Sequence, residues 1–112
     1  MEDYTEVIKG RIVTRGGVEP VKDAEVEVWD KDLLMDDYLG ATVTDQDGRF
    51  EVPFYWSQYK DSVFEDRPDI FLKVNNPRTG KQTRTKVFYE LSGELSDDDS
   101  EEVMDLGDIP VD

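Results

Sequence analysis

Four aspartates, Asp30, Asp32, Asp36 and Asp37, crowd one short polar stretch of this chain. Carboxylates held a few ångströms apart repel by about 1 kcal/mol or more per near pair, and a hard cation with about six to eight oxygen ligands removes that repulsion. All-oxygen donors point to calcium rather than zinc. Asp30, Asp32 and Asp37 are the expected first ligands, with Asp36 or Asp66 in reserve, and mobile loops would make binding weak. The competing reading is a solvated charged loop holding nothing. Paired carboxylates can also hydrolyse glycosides, but among 28 acidic side chains such pairs arise by chance. Tyr55, Trp56, Tyr59 and Phe64 form a second cluster, either a lid over one end of a core or an aromatic binding platform.

Composition narrows the chemistry further. The 112 residues contain no histidine, which removes the commonest general base and zinc ligand, and no cysteine, so disulfides and thiolate sites are absent. A formal net charge of -15 makes nucleic acid a poor partner, and the acidic excess can serve solubility, a high-salt interior, divalent cations or a basic protein partner, which composition alone does not rank. The N-terminal Met-Glu-Asp-Tyr-Thr-Glu lacks the basic and apolar regions of a secretory signal, and no run reaches the length of a membrane span. The expectation is a soluble chain of one domain, residues 1–112, with one core.

The elements that position these groups read as strands. Ala24, Val26 and Val28 alternate with Glu25, Glu27 and Trp29, the period of two that sets one face on a core and the other in water. Residues 30–39 read as an acidic loop, and Gly40 opens an extended run to Thr44. Asp45-Gln-Asp-Gly supplies turn chemistry, with Gly48 expected at positive φ, before Phe50, Val52 and Phe54 alternate, so 41–54 reads as a hairpin. Val7–Thr14 reads as the first strand, with Gly10 marking a bulge or a close backbone neighbour. Asp69–Val74 is a continuous apolar run suited to a central strand. Thr83–Leu91 alternates again, 92–102 is an acidic loop, and Val103–Val111 closes the chain. This makes seven strands and no helix.

The succession of strand, Gly-rich turn, Pro20-Val-Lys-Asp-Ala-Glu-Val-Glu-Val-Trp-Asp, acidic loop and Thr44-Asp-Gln-Asp-Gly-Arg-Phe-Glu-Val resembles the transthyretin-like and carboxypeptidase-regulatory-like domains. That resemblance implies an all-β fold, a seven-stranded antiparallel Greek-key β-sandwich of prealbumin-like type. The enzymes of that fold family use histidines, so the resemblance implies no catalysis here. Val26-Glu-Val-Trp-Asp-Lys-Asp-Leu-Leu-Met-Asp-Asp-Tyr-Leu-Gly is similar to the calcium-binding third loop of C2 domains, although it comes early in the chain.

These readings converge on a non-catalytic binding or accessory module whose acidic loops hold calcium, contact a basic protein partner, or both. The alternatives are a C2-like calcium-dependent membrane binder with Leu33, Leu34 and Met35 as tips, a small-ligand carrier, and a carboxylate glycosidase. Oligomeric state stays open. If successive strands alternate in direction, loops 30–39, 55–68 and 92–102 emerge at one end. That end is acidic, whereas the other carries Arg15, Lys22, Arg78 and Lys81, so the domain is expected to be a charge dipole. Asp45 and Asp47 belong to the far end, roughly 16 Å away along a strand.

Overall fold

Alternation along the chain becomes two packed sheets. The computed structural model describes residues 5–55, 67–97 and 100–112. Val26 and Val28 are buried beside exposed Glu25, and Phe50, Val52 and Phe54 are buried between exposed Arg49, Glu51 and Pro53. Eight strands result: β1 (Thr5–Thr14), β2 (Glu25–Asp30), β3 (Asp37–Val43), β4 (Arg49–Phe54), β5 (Ile70–Asn75), β6 (Gln82–Arg84), β7 (Glu94–Leu95) and β8 (Glu101–Val111). No helix occurs among the described residues. One sheet has the order β4-β1-β8-β7, the other β3-β2-β5-β6. Ile8, Ile12, Val28, Phe50, Leu72 and Met104 belong to the core between them. The fold is an all-β sandwich, with β1 and β8 as its parallel pair.

Strand directions place the loops. Glu6 pairs with Phe54 and, in parallel, with Glu102. Asp30 lies opposite both Asp37 and Ile70. The start of β1, the ends of β2 and β4 and the starts of β3, β5 and β8 therefore share one end of the sandwich. Loop 31–36 and the described residues 55, 67–69, 96–97 and 100 that flank these strands lie there. At the other end, turns 15–24, 44–48 and 76–81 carry Arg15, Lys22, Arg78 and Lys81 but also Glu19, Asp23, Asp45 and Asp47. That end is near balance rather than positive, so the expected dipole reduces to one acidic end and one mixed end.

Several boundaries differ from the sequence reading, for physical reasons. The expected hairpin 41–54 is a crossover: β3 and β4 lie in different sheets, β3 pairing with β2 and β4 with β1. The turn chemistry itself holds. Asp45 Oδ1 accepts from the backbone N–H of Asp47 and Arg49, each at 2.9 Å. Gly48 has φ 76, and its carbonyl accepts from Ile12 N at 2.7 Å, which pins the crossover to β1. The acidic loop is shorter than 30–39, because Asp30 and Asp37 are paired strand residues. The expected strand Thr83–Leu91 is ordered as a strand only over β6. Beyond it Thr85 N bonds Leu72 O and Phe88 bridges Ile70, after which the chain passes to the other sheet as β7. The eighth strand, β7, forms at Glu94–Leu95 inside the expected acidic loop 92–102, where it pairs with Glu102 and Val103 of β8. At Gly10 the β1–β8 register shifts, and a Cβ there would stand 3.0 Å from Gly107 O and 3.1 Å from the Phe50 ring. Both halves of the expectation for Gly10 hold.

Candidate functional site

At the acidic end the aspartates divide by the backbone they serve. Asp30, the inward-facing last residue of β2, is 3% exposed, and its Oδ1 accepts from Asp69 N at 3.1 Å. Asp69 in turn accepts from Glu90 N at 2.8 Å, and its carbonyl accepts from Lys31 N at 2.7 Å. This chain of bonds fastens the β2 exit to the β5 entry. Asp36 Oδ1 accepts from Asp32 N at 3.1 Å, closing the 31–36 loop, and Asp32 Oδ1 accepts from Leu33 N at 2.7 Å. Asp36 Oδ2 lies 3.9 Å from the Arg84 guanidinium. Asp37 sits beside Asp30 across the β2–β3 ladder. Asp66, and with it Trp56, Tyr59 and Phe64, lies outside the described residues. Among the described residues no group of three or more His, Cys, Asp or Glu stands close enough to hold a metal ion.

The closed loop lifts three apolar side chains into water. Leu33 is 98% exposed, Leu34 99% and Met35 77%. Three consecutive apolar residues without cover are costly in a soluble surface unless something covers them part of the time. Carboxylates stand at both feet of this tip, Asp32 before it and Asp36 after it.

Two buried carboxylates lie at the same end of the sandwich, on the other sheet. Glu102, 4% exposed, receives Arg67 Nη1 at 2.7 and 2.6 Å on its two oxygens and Gly93 N at 3.2 Å. Glu6 is its neighbour in register and is also buried. The sequence reading placed Glu102 in a solvated charge run. The signal that contradicts this is the period of two: Glu6 precedes Ile8 by two residues and Glu102 precedes Met104 by two, so both share the core face. A buried charge of this kind is held by its partners.

The outer face of the β3-β2-β5-β6 sheet carries an aromatic and cationic layer. Trp29, expected on the solvent side, stands edge-on to Tyr38 at 5.5 Å and stacks with Phe71 at 6.3 Å. Lys73 Nζ lies 4.3 Å over Trp29, and Arg84 lies 4.2 Å over Phe71. Stacked cations and rings cover Phe71, which explains how it is buried on the outer face of β5 beside Lys73 and Asn75. Tyr55, one of the loop aromatics, is exposed.

A sandwich of this topology, entered by a Gly-rich turn and crossed at Asp45–Gly48, is matched over residues 9–91 by the model of the Transthyretin-like family. The chain belongs to that family. No curated protein matches it. Among solved structures, this transthyretin-like domain is similar to part of a 9R-lipoxygenase from Cyanothece PCC8801, with 28% identity and a TM-score of 0.57. It covers 96% of its own length there but only 16% of the lipoxygenase chain. It is similar in fold to the dioxygenase domain of a dioxygenase carbohydrate-binding protein fusion from Streptomyces sp. SirexAA-E (13% identity, TM-score 0.61, covering 99% of this chain and 82% of that one). A third likeness is to hydroxyquinol 1,2-dioxygenase from Pseudomonas putida DLL-E4 (12% identity, TM-score 0.58, covering 100% and 58%). No helix among the described residues is long and apolar enough to cross a membrane.

Proposed function

We propose that this transthyretin-like domain is a non-catalytic binding or accessory module that meets a basic protein partner through its acidic end. The observation that carries this is the exposed tip Leu33-Leu34-Met35, held between Asp32 and Asp36. Apolar side chains ringed by carboxylates complement an apolar pocket rimmed by lysine and arginine, the charges guiding encounter and the tip supplying affinity. The lipoxygenase likeness supports the accessory role, since there the matched fold is a small part of a longer chain. A peptide alternating leucine and lysine serves as probe. Leu33→Ser with Leu34→Ser is expected to weaken its binding about ten-fold or more while leaving the melting temperature unchanged, since neither side chain has cover to lose. Equal binding by the double variant would remove the tip from the site.

Calcium is the second reading, favoured by the facing pair Asp30 and Asp37. Asp32 or Asp66 would complete the donor set, and the ion would relieve carboxylate repulsion as well as bridge to an anionic partner. Asp30 also accepts a backbone N–H, so its substitution disturbs the fold itself. The discriminating variant is Asp32→Asn with Asp37→Asn, which should abolish a calcium-induced rise in melting temperature. No rise in the wild type at several millimolar calcium would end this reading. Sedimentation with anionic vesicles, with and without calcium, separates a membrane partner from a protein one.

A further inference from the structure

The two long edges of the sandwich differ. On one, β3 and β4 lie against each other, and Gly40 brings its backbone close to Val52. On the other, β6 has three residues and β7 two, and among the described residues β8 has no partner on that side beyond Val103. A groove of about 410 Å³ opens there between segment 83–88 and the outer half of β8. This volume falls within the range of small-molecule sites, about 300–1,000 Å³.

The groove's chemistry is opposite to that of the molecule. Phe88, Leu106, Ile109 and Pro110 supply apolar walls. Its charged residues are Arg15, Arg84 and Lys86 against Asp108 alone, in a chain of net charge -15. Two of those cations are already engaged: Arg15 with Asp112 at 2.9 Å, Arg84 with the Phe71 ring and with Asp36. Asp108 is engaged by Arg11 at 3.4 Å. Among the described residues Lys86 has no carboxylate partner, and its ammonium lies 5.2 Å from the Phe88 ring, beside the apolar wall.

We propose that this groove binds an aliphatic carboxylate, its chain against Phe88, Leu106, Ile109 and Pro110 and its head group at Lys86. One unpaired ammonium matches one negative charge. A dianion would leave excess charge beside Asp108 and the acidic surface. A plain cationic patch would not need the apolar walls, and a plain apolar cleft would not need the cations. The site lies along the sandwich edge and is independent of the tip at the acidic end.

The test uses sodium octanoate below its micellar limit, followed by backbone amide shifts, with 1-octanol as the uncharged probe. Saturable octanoate shifts are expected at 83–88 and 106–110, with octanol binding more weakly. Lys86→Glu should weaken octanoate about five-fold, consistent with a partly exposed ion pair. Lys22→Glu, the same charge change on the 15–24 turn at a residue that does not line the groove, should leave it unaltered. Both lysines are exposed, so both variants should fold. The proposal is overturned if no saturable shift occurs, if shifts fall elsewhere, if octanol binds as tightly, or if the two variants weaken octanoate equally.

Discussion

Gly48 shows how one residue can hold two sheets together. Its φ of 76 belongs to the left-handed region, and a Cβ there would lie 2.5 Å from the carbonyl oxygen of Ile12, the group that opposes its own peptide across the crossover. Gly48→Val should therefore cost about 2–4 kcal/mol, read as a lower denaturation midpoint with unchanged slope. Val18 is the converse case. It is exposed, has φ 52 and carries a β-branched side chain that this conformation disfavours. Val18→Asn should raise stability by about 0.5–1 kcal/mol, visible as a melting temperature about 2–4 °C higher. The Gly48 geometry was legible in Asp45-Gln-Asp-Gly, because side-chain caps and a glycine act within a few residues. Val18 was not, because nothing in its type announces the strain it bears.

Elements were legible where the alternation was local and misread where pairing was distant. β2, β4 and β5 follow directly from their apolar positions. Assigning 41–54 to a hairpin failed because turn residues specify a reversal of direction and not whether the returning strand stays in its own sheet. The partition was decided by β1, whose ladder with β4 removes that strand from β3. Residues 92–102 show the same limit: their charge predicts solvation, yet the pairing of β8 with β1 carries Glu102 inward. Glu102→Ala should cost about 1–3 kcal/mol in a thermal or denaturant melt, through loss of the Arg67 and Gly93 bonds. The cost stays below that of a fully buried pair because the Arg67 side chain is 38% exposed and can rehydrate. Of the aspartates singled out by sequence, the structure pairs Asp30 with Asp37 and turns Asp32 and Asp36 to the backbone of their own loop. Side-chain type foretold that they gather at one end. It could not foretell that loop closure would claim their oxygens.

Across the whole molecule, one end gathers acidic connections while the other mixes signs. Mutual repulsion at the acidic end opposes folding, so sodium chloride raised from low salt to about 0.15 M, where the Debye length is about 8 Å, should raise the melting temperature. A falling melting temperature would mean that attractive pairs such as Arg67–Glu102 dominate instead. The same distribution defines where a partner can sit: the only tip with three uncovered apolar residues among the described residues is at the acidic end. The most direct test is an amide-shift map of the wild-type domain titrated with the leucine-lysine peptide, repeated with an all-lysine peptide. Shifts should centre on 31–37 and spread to 67–69 and 100–102, saturating at lower concentration for the peptide that carries leucine. Shifts centred on 15–24, 44–48 or 76–81, or identical titrations with both peptides, would contradict a binding end built on Leu33, Leu34 and Met35.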